Sequence, residues 1–145
     1  MYKRILLPTD GSEASRRAVA SAVDFAKDAG AELVAMTAVP VPHVFAGDAG
    51  AVELAPGQYD DTTHDAAQLL LDEVAGAARD AGVPCTCVAV PSDHPHEAII
   101  ATARAQHCDL IIMASHGNKG IKALLLGSET HKVLVHSAIP VLVLR

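Results

Sequence analysis

The sequence predicts an α/β protein: one doubly wound five-stranded parallel sheet with helices on both faces, Rossmann-like in layout. Three observations predict it. Short apolar runs alternate with helical stripes along the whole chain, in the order β-α-β-α-β-α-β-α-β. Those runs are apolar on both faces, so helices must cover the sheet above and below and the strands must be parallel. The chain has 145 residues, 50% hydrophobic and 19% charged, which suits one domain with a real core and excludes wholesale disorder. Crossovers between such strands are right-handed.

Each element has a local reason. Arg4 to Thr9 is an apolar run that stops at Pro8-Thr9-Asp10-Gly11, a strand followed by a turn. Ser12 to Ala29 reads as a helix with Ala18, Ala22, Val23, Phe25 and Ala26 as its apolar stripe, Ser12 as N-cap and Gly30 just past its end. Glu32 to Val39 is a second strand, stopped by Pro40-Val41-Pro42. His43 to Asp61 has no period and holds Gly47, Gly50, Pro56 and Gly57, so it reads as a long loop, placed to act as a lid. Thr62 to Ala81 is helical through Ala66, Leu69, Leu70, Val74 and Ala77, and Gly82 ends it. Cys85 to Val90 is the third strand, His96 to His107 the third helix, and Leu110 to Ala114 the fourth strand. Ser115 to Gly127 is a loop, Ser128 to Ser137 a short helix, and Pro140 to Leu144 the last strand. No second domain, internal repeat or low-complexity tract interrupts the pattern.

Composition removes several functions. Lys+Arg 11 against Asp+Glu 17 gives a net charge of -6, and aromatics are 3% with no Trp. A nucleic-acid binder needs a basic field and stacking rings, and this chain has neither. No apolar run approaches the roughly 18 residues of a membrane span. The N-terminal run is too short for a signal peptide, and three cysteines argue against a disulfide framework, so a cytoplasmic location is expected.

In open α/β sheets, ligands bind beyond the carboxyl ends of the strands where strand order reverses. Two strand ends stand out: Pro8-Thr9-Asp10-Gly11 and Met113-Ala114-Ser115-His116-Gly117. The second leads to Gly127-Ser128 at a helix start. Gly117 lets the chain bend away from the strand. The first N–H groups of the helix have no internal partner, and with the helix dipole they favour an anion. The Ser128 hydroxyl would cap that helix or meet a phosphate, and Lys119 and Lys122 would add positive charge. A Gly-Ser at a helix start is also a plain N-cap. No P-loop and no Gly-x-Gly-x-x-Gly turn is present. The acid and lysine set of a receiver domain is incomplete.

Pro8-Thr9-Asp10-Gly11-Ser12, Ala114-Ser115-His116-Gly117, the nine-residue spacer, Gly127-Ser128-Glu129-Thr130 and Ile139-Pro140-Val141-Leu142-Val143 together resemble the universal stress protein family across the whole chain. The resemblance implies strand order 3-2-1-4-5 and a nucleotide cleft between strands one and four. ATP-binding members carry Gly-x2-Gly-x9-Gly-Ser/Thr; here the first Gly is Ala114, while Gly117, Gly127 and Ser128 match. A methyl at 114 obstructs the nucleotide or not according to its direction. By this resemblance the site comprises Pro8, Thr9, Asp10, Val39, Met113, Ala114, His116, Gly117, Gly127, Ser128 and Glu129. Asp10 would meet the ribose and Val39 the adenine through its backbone, and Gly117, Gly127, Ser128 and Glu129 would offer N–H groups to the phosphates. The ligand would be ATP, or AMP or ADP, with Mg²⁺ or Mn²⁺ on the phosphates. The family also implies a homodimer through antiparallel pairing of the last strands at Val141, Leu142 and Val143; an edge masked by the chain's own loop is the alternative.

Other residues have plainer readings. Asp10 also suits a turn or helix start. His116 orders its loop or contacts a phosphate. His94 and His96, beside Asp93 and Glu97, have metal-like spacing but no second local pair. Cys85 and Cys87 face the same way on a strand and read as small core residues; Cys108 reads as packing too. The function expected is therefore an adenine-nucleotide-binding regulatory module. A nucleotide-free scaffold and a slow ATP hydrolase are the alternatives.

Overall fold

The computed structural model describes residues 1–42, 56–116 and 126–145, with the backbone alone for 56–60. The strands are β1 (Arg4–Pro8), β2 (Glu32–Val39), β3 (Cys85–Pro91), β4 (Leu110–Ala114) and β5 (Val141–Leu144). Between them run α1 (Glu13–Ala29), α2 (Pro56–Ala81), α3 (Pro95–Ala105) and α4 (Ser128–His136). All pairings are parallel and the order is β3-β2-β1-β4-β5, the expected one.

Side-chain alternation splits the core into two layers. Ile5 and Leu7 of β1, Leu33 and Ala35 of β2, and Leu110 and Ile112 of β4 pack under α1 and α2. Leu6, Val34, Met36, Ile111 and Met113 point the other way, against α3 and α4 through Ala98, Ile99, Ala103 and Val133. β1, β2 and β4 are buried on both faces, as expected of central strands. β3 is not: it forms one edge, with Cys87 exposed and Cys85 half-buried. The core reading therefore fails for Cys87, because an edge strand has a neighbour on one side only. Cys108 is buried.

α1 behaves as expected at both ends. The Ser12 hydroxyl accepts the Ser15 N–H at 3.1 Å, and Gly30 takes φ 64° past the last turn. α3 ends at Ala105, earlier than the expected His107, because His107 turns left-handed at φ 54°. α2 differs most. It begins at Pro56, so residues 56–61 are helix and not loop. Proline suits a first helical position, and hydrophobic period cannot detect a polar first turn. Its buried face is Ala67, Leu71, Val74 and Ala78; of the expected stripe only Val74 is fully buried, and Leu69 is 66% exposed. Leu70 lies over the β1–α1 turn, where a Cβ on Gly11 would stand 2.7 Å from Leu70 Cδ2.

Candidate functional site

The site begins where β1 and β4 part. Their ladder ends at Ile5↔Leu110 and Leu6↔Ile111, whereas β1 stays paired with β2 through Pro8↔Met36. The ends of β1 and β4 are thus free of one another, and strand order reverses between them.

One wall is the turn after β1. Pro8 is half-buried and Thr9 buried, with Thr9 Oγ1 2.7 Å from Ser15 Oγ. Ser15 Oγ also accepts the Asp10 N–H at 3.3 Å. Asp10 is exposed, and its Oδ1 accepts the Ser12 N–H at 2.9 Å. The turn role of Asp10 is therefore real, in an exposed position just past the end of β1. Ser15, a pin for this wall, was missed from sequence; its signal is the spacing Ser12-x-x-Ser15.

The other wall joins β4 to α4. The Ser115 N–H donates to Leu144 O at 2.8 Å, and the Ser115 carbonyl accepts the Gly127 N–H at 2.7 Å. Thr130 is buried and its hydroxyl donates to Ala114 O at 3.0 Å. α4 is thereby held against the end of β4. Its N-cap is Gly127, which supplies no side-chain cap, and Ser128 is the first helical residue with an exposed side chain. The Ser128 hydroxyl is not spent on capping. The N–H groups of Ser128, Glu129 and Thr130 have no acceptor within the helix. His116 Nδ1 lies 2.7 Å from Ser115 Oγ, and its Nε2 is buried without a partner among the described residues. Met113 is buried against α3 and α4. Gly117, Lys119, Lys122 and residues 43–55 of the expected lid lie outside the described residues.

Ala114 is buried, and its direction follows from alternation. Leu110 and Ile112 face α1 and α2, while Ile111 and Met113 face α3 and α4. The Ala114 methyl therefore projects toward α1 and away from the start of α4.

Val39 is placed differently from expectation. Its carbonyl accepts the Ser92 N–H of the chain leaving β3, at 2.9 Å. Met36 O, by contrast, faces β1 and accepts the Thr9 N–H. Alternate residues of a central strand pair to alternate sides, so beyond the end of β1 the groups facing the crevice belong to Ala38. Pairing between strands, not residue type, reveals this.

Glu129 contributes its N–H to the start of α4, but its carboxylate turns to α3. Oε2 accepts the His96 N–H at 2.9 Å and lies 3.0 Å from His96 Nδ1; Oε1 accepts from Lys132 Nζ at 2.9 Å. Burial opposes its charge, but the Lys132 and His96 hydrogen bonds outweigh that and hold the carboxyl below its ordinary value. His96 is therefore engaged with Glu129. Among the described residues, no three His, Cys, Asp or Glu come together as a metal set.

Fold and crevice define a doubly wound α/β domain with an open switch point between β1 and β4. The universal stress protein family model matches residues 1–145, and the chain belongs to that family. It is 32% identical to universal stress protein MJ0531 of Methanocaldococcus jannaschii, over 100% of this chain and 83% of that one. The solved structure of MJ0577 from the same organism superposes with TM-score 0.84 at 30% identity, covering 99% of this chain and 96% of that one. A universal stress protein solved in complex with cAMP superposes with TM-score 0.74 at 25% identity, covering 99% and 97%. Among the described residues, no helix is long and apolar enough to cross a membrane.

Proposed function

We propose that the crevice between β1 and β4 binds an adenine nucleotide, and that the protein serves as a dimeric, cytoplasmic regulatory module in a stress response. ATP is the ligand we favour over AMP and ADP. The observation that carries this reading is the uncapped start of α4, tethered to the end of β4 by the 2.7 Å Gly127–Ser115 bond, with the N–H groups of its first three residues left without an acceptor in the helix. Complex formation with cAMP by a relative of this fold supports the ligand class.

Asp10 takes the ribose, and main-chain groups at Ala38, in place of Val39, edge the adenine. Ser128 and Glu129 offer N–H groups to the phosphates, joined by Gly117; the Gly127 N–H, expected to join them, is spent on the Ser115 carbonyl. Pro8, Thr9, Met113, Ala114 and His116 line the crevice. The direction of the Ala114 methyl, away from the start of α4, supports this reading over a nucleotide-free scaffold. Mg²⁺ or Mn²⁺ would ride on the phosphates, with water and phosphate oxygens as its ligands.

Calorimetric titration with ATP and Mg²⁺ tests the reading. Wild-type protein binds, Asp10→Ala weakens binding about tenfold through loss of a charged hydrogen bond, and Cys85→Ala leaves affinity unchanged. No heat and no thermal shift at millimolar ATP would sink it.

The dimer is supported by the edge position of β5 and by Val141, Leu142 and Val143, which are all half-buried along it. Sedimentation velocity should return a dimer for wild type and a monomer for Val143→Lys. A monomeric wild type removes this part of the proposal.

A further inference from the structure

We infer that His96 is a positioning residue for the phosphate half of the crevice, acting through Glu129; the inference rests on the nucleotide reading above. Glu129 is the second residue of α4, beside the N–H groups offered to the phosphates. A carboxylate there opposes an anionic ligand unless it is drawn aside and offset. His96 draws it aside from the first turn of α3, with contacts of 2.9 and 3.0 Å to one oxygen, while Lys132 Nζ at 2.9 Å from the other offsets its charge.

The tether serves α3 as well. Its N-cap, His94, makes no side-chain cap bond, so Glu129 caps α3 from the neighbouring helix by taking the His96 N–H. The turn just before α3 is fastened in its own right to the end of β2: Ser92 N–H donates to Val39 O at 2.9 Å, and Asp93 Oδ1 accepts the Val41 N–H at 3.1 Å. Residues 92–96 therefore join the end of β2 to the first turn of α4. Among the described residues, the remaining charged or titratable groups at the pair are Lys132 on Glu129, Glu97 Oε1 at 3.9 Å from His96 Nε2, and the His136 ring at 6.2 Å.

If His96 holds the carboxylate away, its removal must hurt ligands in proportion to their phosphate charge. We expect His96→Ala to lower ATP affinity about fivefold, the scale of one partly exposed charge contact, with adenosine affinity unchanged. His96→Asn, which keeps a donor near the Nδ1 position, restores ATP binding. In a Glu129→Gln background, His96→Ala costs ATP affinity nothing, because no charge is released. Equal losses for ATP and adenosine, or a loss that persists with Glu129→Gln, overturn the inference. A wild type that binds neither ligand overturns the nucleotide reading and this role with it. A wild type that binds ATP alongside an unaltered His96→Ala overturns this role alone.

Discussion

Gly127→Val is expected to abolish ATP binding while leaving the sheet folded. A Cβ at Gly127 would stand 3.0 Å from the Ser115 carbonyl oxygen and 3.4 Å from His116 Cα. Both are backbone atoms and cannot rotate away as a side-chain tip can. Alanine needs a shift of a few tenths of an ångström; valine adds two methyls in the same space. The 2.7 Å bond between Gly127 N–H and Ser115 O must then lengthen, and the first turn of α4 leaves the end of β4. Loss of two charge-assisted hydrogen bonds to phosphate corresponds to about a hundredfold or more in affinity. Gly127 belongs to neither hydrophobic cluster, so the melting temperature should fall only slightly. Titration and melting of the same preparation check both halves, and ATP affinity within twofold of wild type would disprove the tether's role.

The second large effect is on stability. Leu7 is fully buried in the central strand, inside the cluster under α1 and α2. Leu7→Ala should cost about 3–4 kcal/mol, from lost transfer energy and the cavity left behind. Against a typical domain stability of about 5–15 kcal/mol that is a severe loss, and it should lower the melting temperature by about 10 °C. Leu69→Ala is the matched control: with Leu69 66% exposed, little burial is lost. Denaturant titration should separate the two variants clearly. Equal destabilisation would contradict the packing described for α2.

Much of this was written in the chain because its signals are local. Apolar runs around Leu6, Val34 and Ile111 mark central strands, and the capping pattern Ser12 to Gly30 frames α1. The start of α4 was recognisable from Gly127-Ser128. Features that depend on neighbours were not readable. α2 is rich in Ala and Leu on two adjacent stripes, so period alone could not choose Ala67, Leu71, Val74 and Ala78 over the stripe beside them. Cys87 looked like core because an edge strand has the same composition as a central one. The Val39 carbonyl turns to Ser92, which pairing decides and residue type does not. His96 and Glu129 are 33 positions apart, and nothing local joins them.

The strand order has a consequence for how the molecule comes into being. β1 pairs on one side with β2, its neighbour in sequence, and on the other with β4, and the Lys3 N–H meets Asp109 across 106 positions. Such distant pairings are slow to form, since a long stretch of chain must close before they are rewarded. The crevice needs both sides of that pairing and the helix after it. On a ribosome, every residue up to the first turn of α4 must therefore emerge before the two walls of the crevice can stand together.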